Sequence, residues 1–333
     1  MYELAILARG GVLLTVWALA AGWSRGRLAG CLRRDRWQGI CRGAWAVPGK
    51  EVDWRVRATA LQFLRPELVC SHGTAARLHR IELLGGPVAP TSPDFPTSPT
   101  SPDFLTSPDF LDFLDFTAPA SSRSTHDTRN RIRVHATASL TAGDRSVRRG
   151  LRVTTPARTV GDLIRSCGSR EEAVVAADSA LAWRAVGGVR REALVRYEEL
   201  AAELAAPRSG GPRARAWLPL TEAASGSPAE SVARLRMRDA ALFPESQPPL
   251  RTAEGGRTLR PDFLFREAGL AVEVEGYAFH GTRRAHERDV ARFDALQSCP
   301  EVRRVLRFTA REVFTAPDRM TRTIRTALTS LAT

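Results

Sequence analysis

The sequence predicts an α+β protein of several domains. The chain has 333 residues, of which 43% are hydrophobic, and this is enough for two or three separate cores. Helical and strand-like periodicities follow one another along it, and stretches rich in Pro, Gly and Ser separate them. We predict an N-terminal domain over residues 1–50, a middle domain over 51–206, a linker over 207–226 and a C-terminal domain over 227–333.

The charge of the chain indicates a polyanionic partner. The formal net charge is +13, from 49 Lys and Arg residues against 36 Asp and Glu residues. Such an excess attracts polyanions whatever the fold, so nucleic acid is the leading partner class, with DNA preferred. An RNA-directed role would rest on this charge alone, because no aromatic stacking motif accompanies it.

The five cysteines are widely spaced, and none belongs to a CxxC pair. This pattern indicates neither a zinc site nor a disulfide framework, so we expect a reducing, cytoplasmic compartment. Residues 4–23 have nearly the apolar composition of a membrane span, but Arg9 and a Gly pair interrupt them and Glu3 precedes them. We therefore expect no membrane partner.

The first fifty residues predict three helices and a hairpin. Residues 2–9 favour a short helix, Thr15 is placed to cap a second, and Ser24 is placed to cap a third, RGRLAGCLRRD. The stretch WQGICRGAWAVPG predicts a hairpin, which completes a winged helix-turn-helix. The third helix would enter the DNA major groove, unless its basic face is merely solvated. Its candidate DNA contacts are Arg25, Arg27, Arg33 and Arg34.

The string GGVLLTVWALAAGWSRGRLAGCLRRDRWQGICRGAWAVPG resembles the N-terminal winged helix of the AbiEi-type antitoxin family, transcriptional regulators of bacterial toxin-antitoxin and abortive-infection loci. VCSHGTAARLHRI, IRVHATASL and GLRVTTPARTVGDLI follow in an order that resembles the family's second domain. The resemblance implies DNA binding and a toxin-like protein partner. His72 and His79 lie on one predicted helix without a Cys or carboxylate to complete a ligand set, so we interpret them as ordinary helix residues.

Residues 90–119 form a low-complexity tract that repeats TSPDF, TSPT and SPDFLTSPDFLDFLDF. A proline every few residues blocks helices and sheet ladders. We therefore predict a disordered loop inserted in the middle domain, whose removal would leave folding and DNA affinity nearly intact.

The C-terminal domain is predicted as one α/β unit. From Ser227 the order is helix, strand RPDFLF, strand LAVEVEG, helix 283–297, strand VRRVLRF and a final helix. In LAVEVEG the period of two places Glu273 and Glu275 on one face. A tight hairpin would bring Asp262, eleven residues before Glu273, alongside it.

Three carboxylates at one place favour a divalent cation, and hard oxygen ligands suit Mg²⁺ or Mn²⁺. Such an ion polarises a phosphodiester and lowers the pKa of an attacking water, so the chemistry implied is phosphodiester hydrolysis. The alternative is a surface network of ion pairs with Arg260, Arg266 and Arg283.

The pattern PD, ten residues, then ExE between two helices resembles the PD-(D/E)XK nuclease superfamily. The longer run VEVEGYAFHGT, RRAHERDVARFDALQ and VRRVLRFT resembles the very-short-patch-repair (Vsr-like) endonuclease group over residues 227–328, which implies a restriction-endonuclease-like fold. The resemblance implies metal ligation by Asp262 and Glu273, a place for His280 near the scissile phosphate, and an additional acid, Glu230.

Two features leave alternatives open. Ser227 and Glu230 also form a capping-box pattern, and His280 beside aromatic residues could simply pack. The superfamily's lysine two residues after the second acid is here Glu275, so the general base stays unassigned. The sequence therefore predicts a metal-dependent DNA endonuclease joined to a winged helix, with a non-catalytic DNA-binding regulator of the antitoxin type as the alternative.

Overall fold

The structure, a computed structural model, describes residues 2–84, 113–252, 256, 258–275 and 291–332. It is a mixed α+β protein, as predicted. The chain forms two compact units, Met1–His79 with Pro108–Asp162 (unit 1) and Arg80–Ser107 with Leu163–Thr333 (unit 2). None of the helices in the described ranges combines the length and the apolar character that crossing a membrane requires.

Unit 1 begins with three helices and a three-stranded antiparallel sheet of order β1-β3-β2. The elements are Tyr2–Ala5 (α1), Val12–Leu14 (β1), Thr15–Ala20 (α2), Arg25–Arg34 (α3), Gln38–Cys41 (β2) and Ala44–Ala46 (β3). The predicted hairpin is therefore confirmed, and so is the Ser24 cap, whose Oγ accepts a hydrogen bond from the Arg27 N–H at 3.2 Å. The predicted Thr15 cap is wrong, because Thr15 is the first residue of α2 and its hydroxyl accepts from the Trp45 indole at 3.1 Å.

The rest of unit 1 is built on a six-stranded sheet of order β6-β7-β5-β4-β9-β8, in which β5 runs parallel to β7 and β4 runs parallel to β9. Its apolar face packs against two helices, α4 and α5, through a cluster that includes Ala58, Leu78 and Phe116. The elements are Trp54–Leu64 (α4), Val69–Cys70 (β4), His72–His79 (α5), Leu114–Pro119 (β5), Thr125–Asp127 (β6), Ile132–Thr137 (β7), Arg145–Arg148 (β8) and Leu151–Thr154 (β9).

The end of the predicted disordered tract is a central strand of this sheet. β5 pairs with both β4 and β7, and its Leu114, Phe116 and Ala118 are almost completely buried. The prediction of a loop through residue 119 is therefore wrong for residues 114–119, and residues 90–112 lie outside the described residues. The last copy of the repeat, LDFTA, alternates apolar and polar residues, which is the pattern of a strand with one buried face.

Residues 156–220 carry helices and a small hairpin, and from Leu163 they belong to unit 2. They are Pro156–Ser166 (α6), Arg170–Leu181 (α7), Arg184–Val186 (β10), Val189–Arg191 (β11), Tyr197–Ala205 (α8), Gly211–Trp217 (α9) and the 3-10 turn Leu218–Leu220. The segment predicted as a linker, 207–226, contains α9 and this turn, with Ala214 and Leu218 buried. It is a folded part of unit 2 and not an irregular connection.

A four-stranded sheet of order β12-β15-β16-β17 lies at the centre of the C-terminal part of unit 2, with β16 and β17 parallel and the other pairs antiparallel. The elements are Pro228–Asp239 (α10), Glu245–Ser246 (β12), Leu250–Arg251 (β13), Thr258–Leu259 (β14), Phe263–Phe265 (β15), Leu270–Glu275 (β16), a helix at 291–297 (α11), Arg304–Thr309 (β17), Ala310–Thr315 (α12) and Pro317–Ala332 (α13). One apolar cluster joins the sheet to α10, α12 and α13, and a second joins it to α11.

The predicted hairpin between the second and third strands of this sheet is confirmed. A 3-10 turn, Arg266–Ala268, leads to Gly269, which has a φ of +64° in the left-handed region. A Cβ at this glycine would lie 3.0 Å from the Glu301 carbonyl oxygen, so a side chain there would be both strained and crowded. The turn sets the register that pairs Phe263 with Val272.

Candidate functional site

The candidate site is a cluster of buried carboxylates at the edge where β15 begins and β16 ends. Val272 and Val274 of β16 face the apolar cluster, so the period of two turns Glu273 to the opposite face, as predicted. Asp262 immediately precedes β15 and is only 8% exposed. Its Oδ2 accepts a hydrogen bond from the backbone N–H of Val274 at 2.7 Å. The short hairpin thus brings the two predicted metal ligands together.

Glu230, in the first turn of α10, belongs to the same cluster. Ser227 caps the helix, since its Oγ accepts from the Glu230 N–H at 3.2 Å. The Glu230 carboxylate accepts from the Gly226 N–H at 2.7 Å and from the Gln247 side-chain nitrogen at 2.9 Å. The Gln247 nitrogen also donates to Asp262 Oδ1 at 2.9 Å. The cap and the site are therefore compatible, and one amide joins Glu230 to Asp262.

Glu273 is held by an arginine. Both of its carboxylate oxygens lie 3.2 Å from Nη2 of Arg292, which is carried by α11. The same Nη2 donates to the Arg260 carbonyl oxygen at 2.8 Å. Asp262, by contrast, makes no ion pair with any arginine in the described residues. Arg292 thus compensates the charge of Glu273, whereas no described arginine is paired with Asp262.

The burial of these groups disfavours their charged forms. Desolvation raises the pKa of Asp262 well above its usual range, and the neighbouring Glu230 and Glu273 carboxylates raise it further. Desolvation also raises the pKa of Glu273, although Arg292 opposes this rise. Like charges that cannot all ionise together favour a cation placed among them.

Glu275 forms an ion pair with Arg307 of β17. Of the arginines that the ion-pair alternative names, Arg266 pairs with Glu245 at 2.6 Å and Arg260 donates to the Gln247 carbonyl at 2.9 Å. Arg283 and His280 lie outside the described residues. Ion pairs do exist at Glu273 and Glu275, but Arg292 and Arg307 supply them.

The donor chemistry of the cluster suits a hard divalent cation, because three carboxylates converge and no sulfur is involved. As the side chains stand, no group of three or more His, Cys, Asp or Glu residues within the described ranges could hold a metal ion. N–H groups of Gln247 and Arg292 point at the carboxylate oxygens that would bind the ion. A metal would therefore require these two side chains to turn away.

The second candidate surface is the outer face of α3, where all four predicted DNA contacts are exposed. Arg27 pairs with Glu3 at 3.1 Å and lies over the Trp23 ring at 4.3 Å, and Arg34 pairs with Asp35 at 3.0 Å. Arg25 and Arg33 make no hydrogen bond or ion pair with any residue that the structure describes. These two are the arginines most available for a phosphate.

Sequence reasoning missed Gln247 and Arg292. Gln247 follows a short strand, in the stretch SQPP, fifteen residues before Asp262. No acidic residue next to it in the sequence indicates a functional role. Arg292 lies among 49 basic residues, so its charge gave no signal. Only the packing of α11 on the sheet brings it to Glu273.

No protein-family model matches this chain, and no curated protein matches it significantly. Among solved structures, the chain is similar to the crystal structure of the RV2827C protein from Mycobacterium tuberculosis. The two chains are 18% identical, the similarity covers 74% of this chain and 82% of that one, and the TM-score is 0.40.

Proposed function

We propose that the protein binds DNA through an N-terminal winged helix and cleaves it with a metal-dependent endonuclease domain of the Vsr-like, restriction-endonuclease-like fold. One observation carries the proposal, namely that Asp262, Glu273 and Glu230 converge in a buried cluster in which Asp262 has no basic partner among the described residues. Burial of a carboxylate without a counter-charge is energetically costly. Carboxyl groups whose pKa is strongly perturbed in this way cluster at functional sites.

The order of elements supports the fold that we propose. A helix (α10) precedes three antiparallel strands (β12, β15, β16), and a helix (α11) then leads to a strand parallel to the third (β17). The cluster lies where β15 begins and β16 ends, and α10 adds Glu230 to it. This is the arrangement that the resemblance to the PD-(D/E)XK superfamily implies.

In the proposed mechanism Asp262 and Glu273 would hold Mg²⁺ or Mn²⁺, and Glu230 would complete the acidic side of the site. Such an ion would supply a Lewis acid for the phosphodiester and would lower the pKa of the attacking water. Val274 fixes the orientation of Asp262 through its backbone N–H. Gln247 joins Asp262 to Glu230 in the absence of metal and would turn away from both carboxylates when the ion binds. Glu275 forms an ion pair with Arg307 at the end of β16.

A direct nuclease assay tests the proposal. The purified chain is incubated with duplex, mismatched and single-stranded DNA in the presence of Mg²⁺, Mn²⁺ or EDTA. We expect metal-dependent nicks in at least one substrate and none with EDTA. A folded, DNA-bound protein that releases no nicks with either metal would exclude the endonuclease.

Replacement of Arg292 by Ala is expected to tighten metal binding about fivefold. Arg292 occupies both oxygens of Glu273, and a partly exposed ion pair of this kind contributes about 1 kcal/mol that the metal must replace. Calorimetric titration of the DNA-free protein with Mn²⁺ measures the affinity. Arg266→Ala, which breaks a similar pair at Glu245, serves as the control and should leave it unchanged. Equal affinities in the parent and Arg292→Ala would contradict the competition.

For the winged helix we expect that replacing both Arg25 and Arg33 by Ala flattens the dependence of log affinity on log salt by roughly 1.8, since each phosphate contact contributes about 0.9. Fluorescence anisotropy with a labelled duplex at several salt concentrations measures this slope. The double variant Arg319→Ala/Arg322→Ala removes the same charge from the exposed side of α13. A slope that changes equally in both double variants would indicate a general charge effect and not binding by α3.

A non-catalytic DNA-binding regulator with a toxin-like protein partner is the second candidate. Two ion pairs favour it. Glu275 replaces the lysine that the resemblance leads us to expect and is paired with Arg307, and Glu273, which a metal would need, is already paired with Arg292. Specific duplex binding without nicks under either metal, together with unchanged affinity in EDTA, would support the regulator.

A further inference from the structure

A polar face on the six-stranded sheet of unit 1 has no part in the proposed nuclease. The parallel register of β5 and β7 places Asp115 beside Arg133 and Thr117 beside His135. The residues between them, Phe116 and Val134, belong to the apolar cluster on the opposite face. Since side chains alternate along a strand, the four polar residues share the face opposite that apolar cluster.

His72 joins this face from the start of α5. Its ring stacks on the His135 ring with centroids 3.9 Å apart and planes inclined by 23°. Its φ is +43°, a conformation that residues other than glycine keep only where the surroundings enforce it. Nδ1 lies 3.0 Å from the Ser71 hydroxyl. Burial and the nearby His135 lower the pKa of His72 to about 3, so its ring is neutral.

Asp115 holds the side chains of Arg133 and His135, both on β7, in place. Its Oδ1 is 3.3 Å from His135 Nε2 and 3.8 Å from Arg133 Nη1, and the carboxylate is buried. Arg133 also lies over the Phe113 ring at 4.2 Å. The side chains of Arg133 and His135 nevertheless remain 27% and 38% exposed. Asp115 therefore holds Arg133 and His135 in place, while part of each side chain remains accessible to a ligand.

Thr117 supplies an independent sign of a ligand. Its hydroxyl is buried, and no residue that the structure describes forms a hydrogen bond with it. Buried polar atoms are paired in the great majority of cases, so an unpaired one calls for a partner. The register puts it next to His135, on the face that carries Arg133.

We infer that this face of the sheet binds a phosphate group, with Arg133 and Thr117 donating hydrogen bonds to its oxygens and His135 lying beside them. A guanidinium and a hydroxyl together form a donor set for an oxyanion. Asp115 takes no part in binding and positions Arg133 and His135. Arg158 adds positive potential from nearby while it remains bonded to Asp162 at 2.8 Å. The phosphate belongs either to a nucleic-acid backbone or to a free nucleotide or phosphate ion.

The variant Thr117→Val separates a binding role from a structural one. Valine has the shape of threonine without the hydroxyl, so removal of an unpaired buried polar group should leave the melting temperature equal or higher. Affinity for phosphate should fall at least about fivefold if the hydroxyl binds it. Arg133→Ala should abolish binding, and His135→Gln provides a milder second variant. Arg148→Ala, on the exposed edge strand β8 of the same sheet, is the control and should change nothing.

Calorimetric titrations of the full chain with inorganic phosphate, 5′-AMP and a short DNA duplex distinguish the sources. Binding of AMP or phosphate that Thr117→Val weakens indicates a free ligand. Duplex binding that is weakened in the same variant, with no binding of the small probes, indicates the nucleic-acid backbone. Either result supports the site. It is overturned if the parent binds none of the three probes at millimolar concentration, or if Thr117→Val binds all of them as tightly as the parent.

Discussion

Asp262→Asn is expected to abolish metal-dependent DNA cleavage while DNA binding persists. The amide keeps the size of the side chain and loses the charge that holds the cation, so the cleavage rate should fall by at least about 100-fold. Affinity for DNA without metal should stay equal or rise, because repulsion between the carboxylate and phosphate is relieved. Single-turnover cleavage and anisotropy measured on the same preparation check both parts.

The same variant has a stability signature. The pKa of Asp262 is raised in the folded state, so the folded protein binds the proton more tightly than the unfolded chain. The free energy of unfolding therefore falls as the pH rises from the unfolded value of about 3.9 through the folded pKa. Asparagine does not titrate, and Asp262→Asn should lose this fall and melt at an equal or higher temperature at pH 7. A structural ion-pair role predicts the opposite, a destabilised variant and no activity in the parent.

Two companion variants sharpen the assignment. Glu273→Gln should behave like Asp262→Asn, since the residue is the second carboxylate of the proposed metal site. Glu275→Gln should be milder, because that carboxylate is engaged by Arg307. If Glu275→Gln alone removes cleavage, the roles of the two glutamates are reversed.

Phe116→Ala is expected to lower the free energy of unfolding of unit 1 by about 3–5 kcal/mol, which is the usual effect of deleting a buried phenylalanine. The ring is fully buried at the centre of the six-stranded sheet. Urea unfolding followed by circular dichroism and tryptophan fluorescence measures the change. Val147→Ala, at a side chain 65% exposed on β8, should stay within about 0.5 kcal/mol of the parent. A small effect at Phe116 would mean that β5 is not part of the core.

Two deletions also test whether β5 belongs to the core of unit 1. Loss of residues 90–119 removes β5 and should unfold the sheet of unit 1, since β4 and β7 would lose their common partner. For residues 90–112 alone, the expectation from sequence stands that removal leaves folding and DNA affinity nearly intact. Comparison of the two deletions by thermal melting locates the boundary between the tract and the strand.

The sequence by itself determined the features that depend on near neighbours along the chain. The Ser24 cap, the hairpin of β2 and β3, and the hairpin that joins Asp262 to Glu273 all arise within about a dozen residues, where capping, turn chemistry and the period of two act directly. This locality is why the two acids could be paired in advance. The same reasoning failed for β5. The prolines of the repeat led to the prediction of a disordered loop, although the last copy of the repeat alternates apolar and polar residues as a strand does.

The tertiary structure alone decided which distant groups meet. Arg292 reaches Glu273 because α11 packs on the sheet, and Gln247 joins Glu230 to Asp262 across two elements. His72, Asp115 and His135 are separated by 43 and 20 residues, so no local pattern relates them, and each looks ordinary in its own segment. Contacts of this kind follow from the pairing of strands and from burial of whole faces, and these depend on the free energy of the complete core and not on any short stretch of sequence.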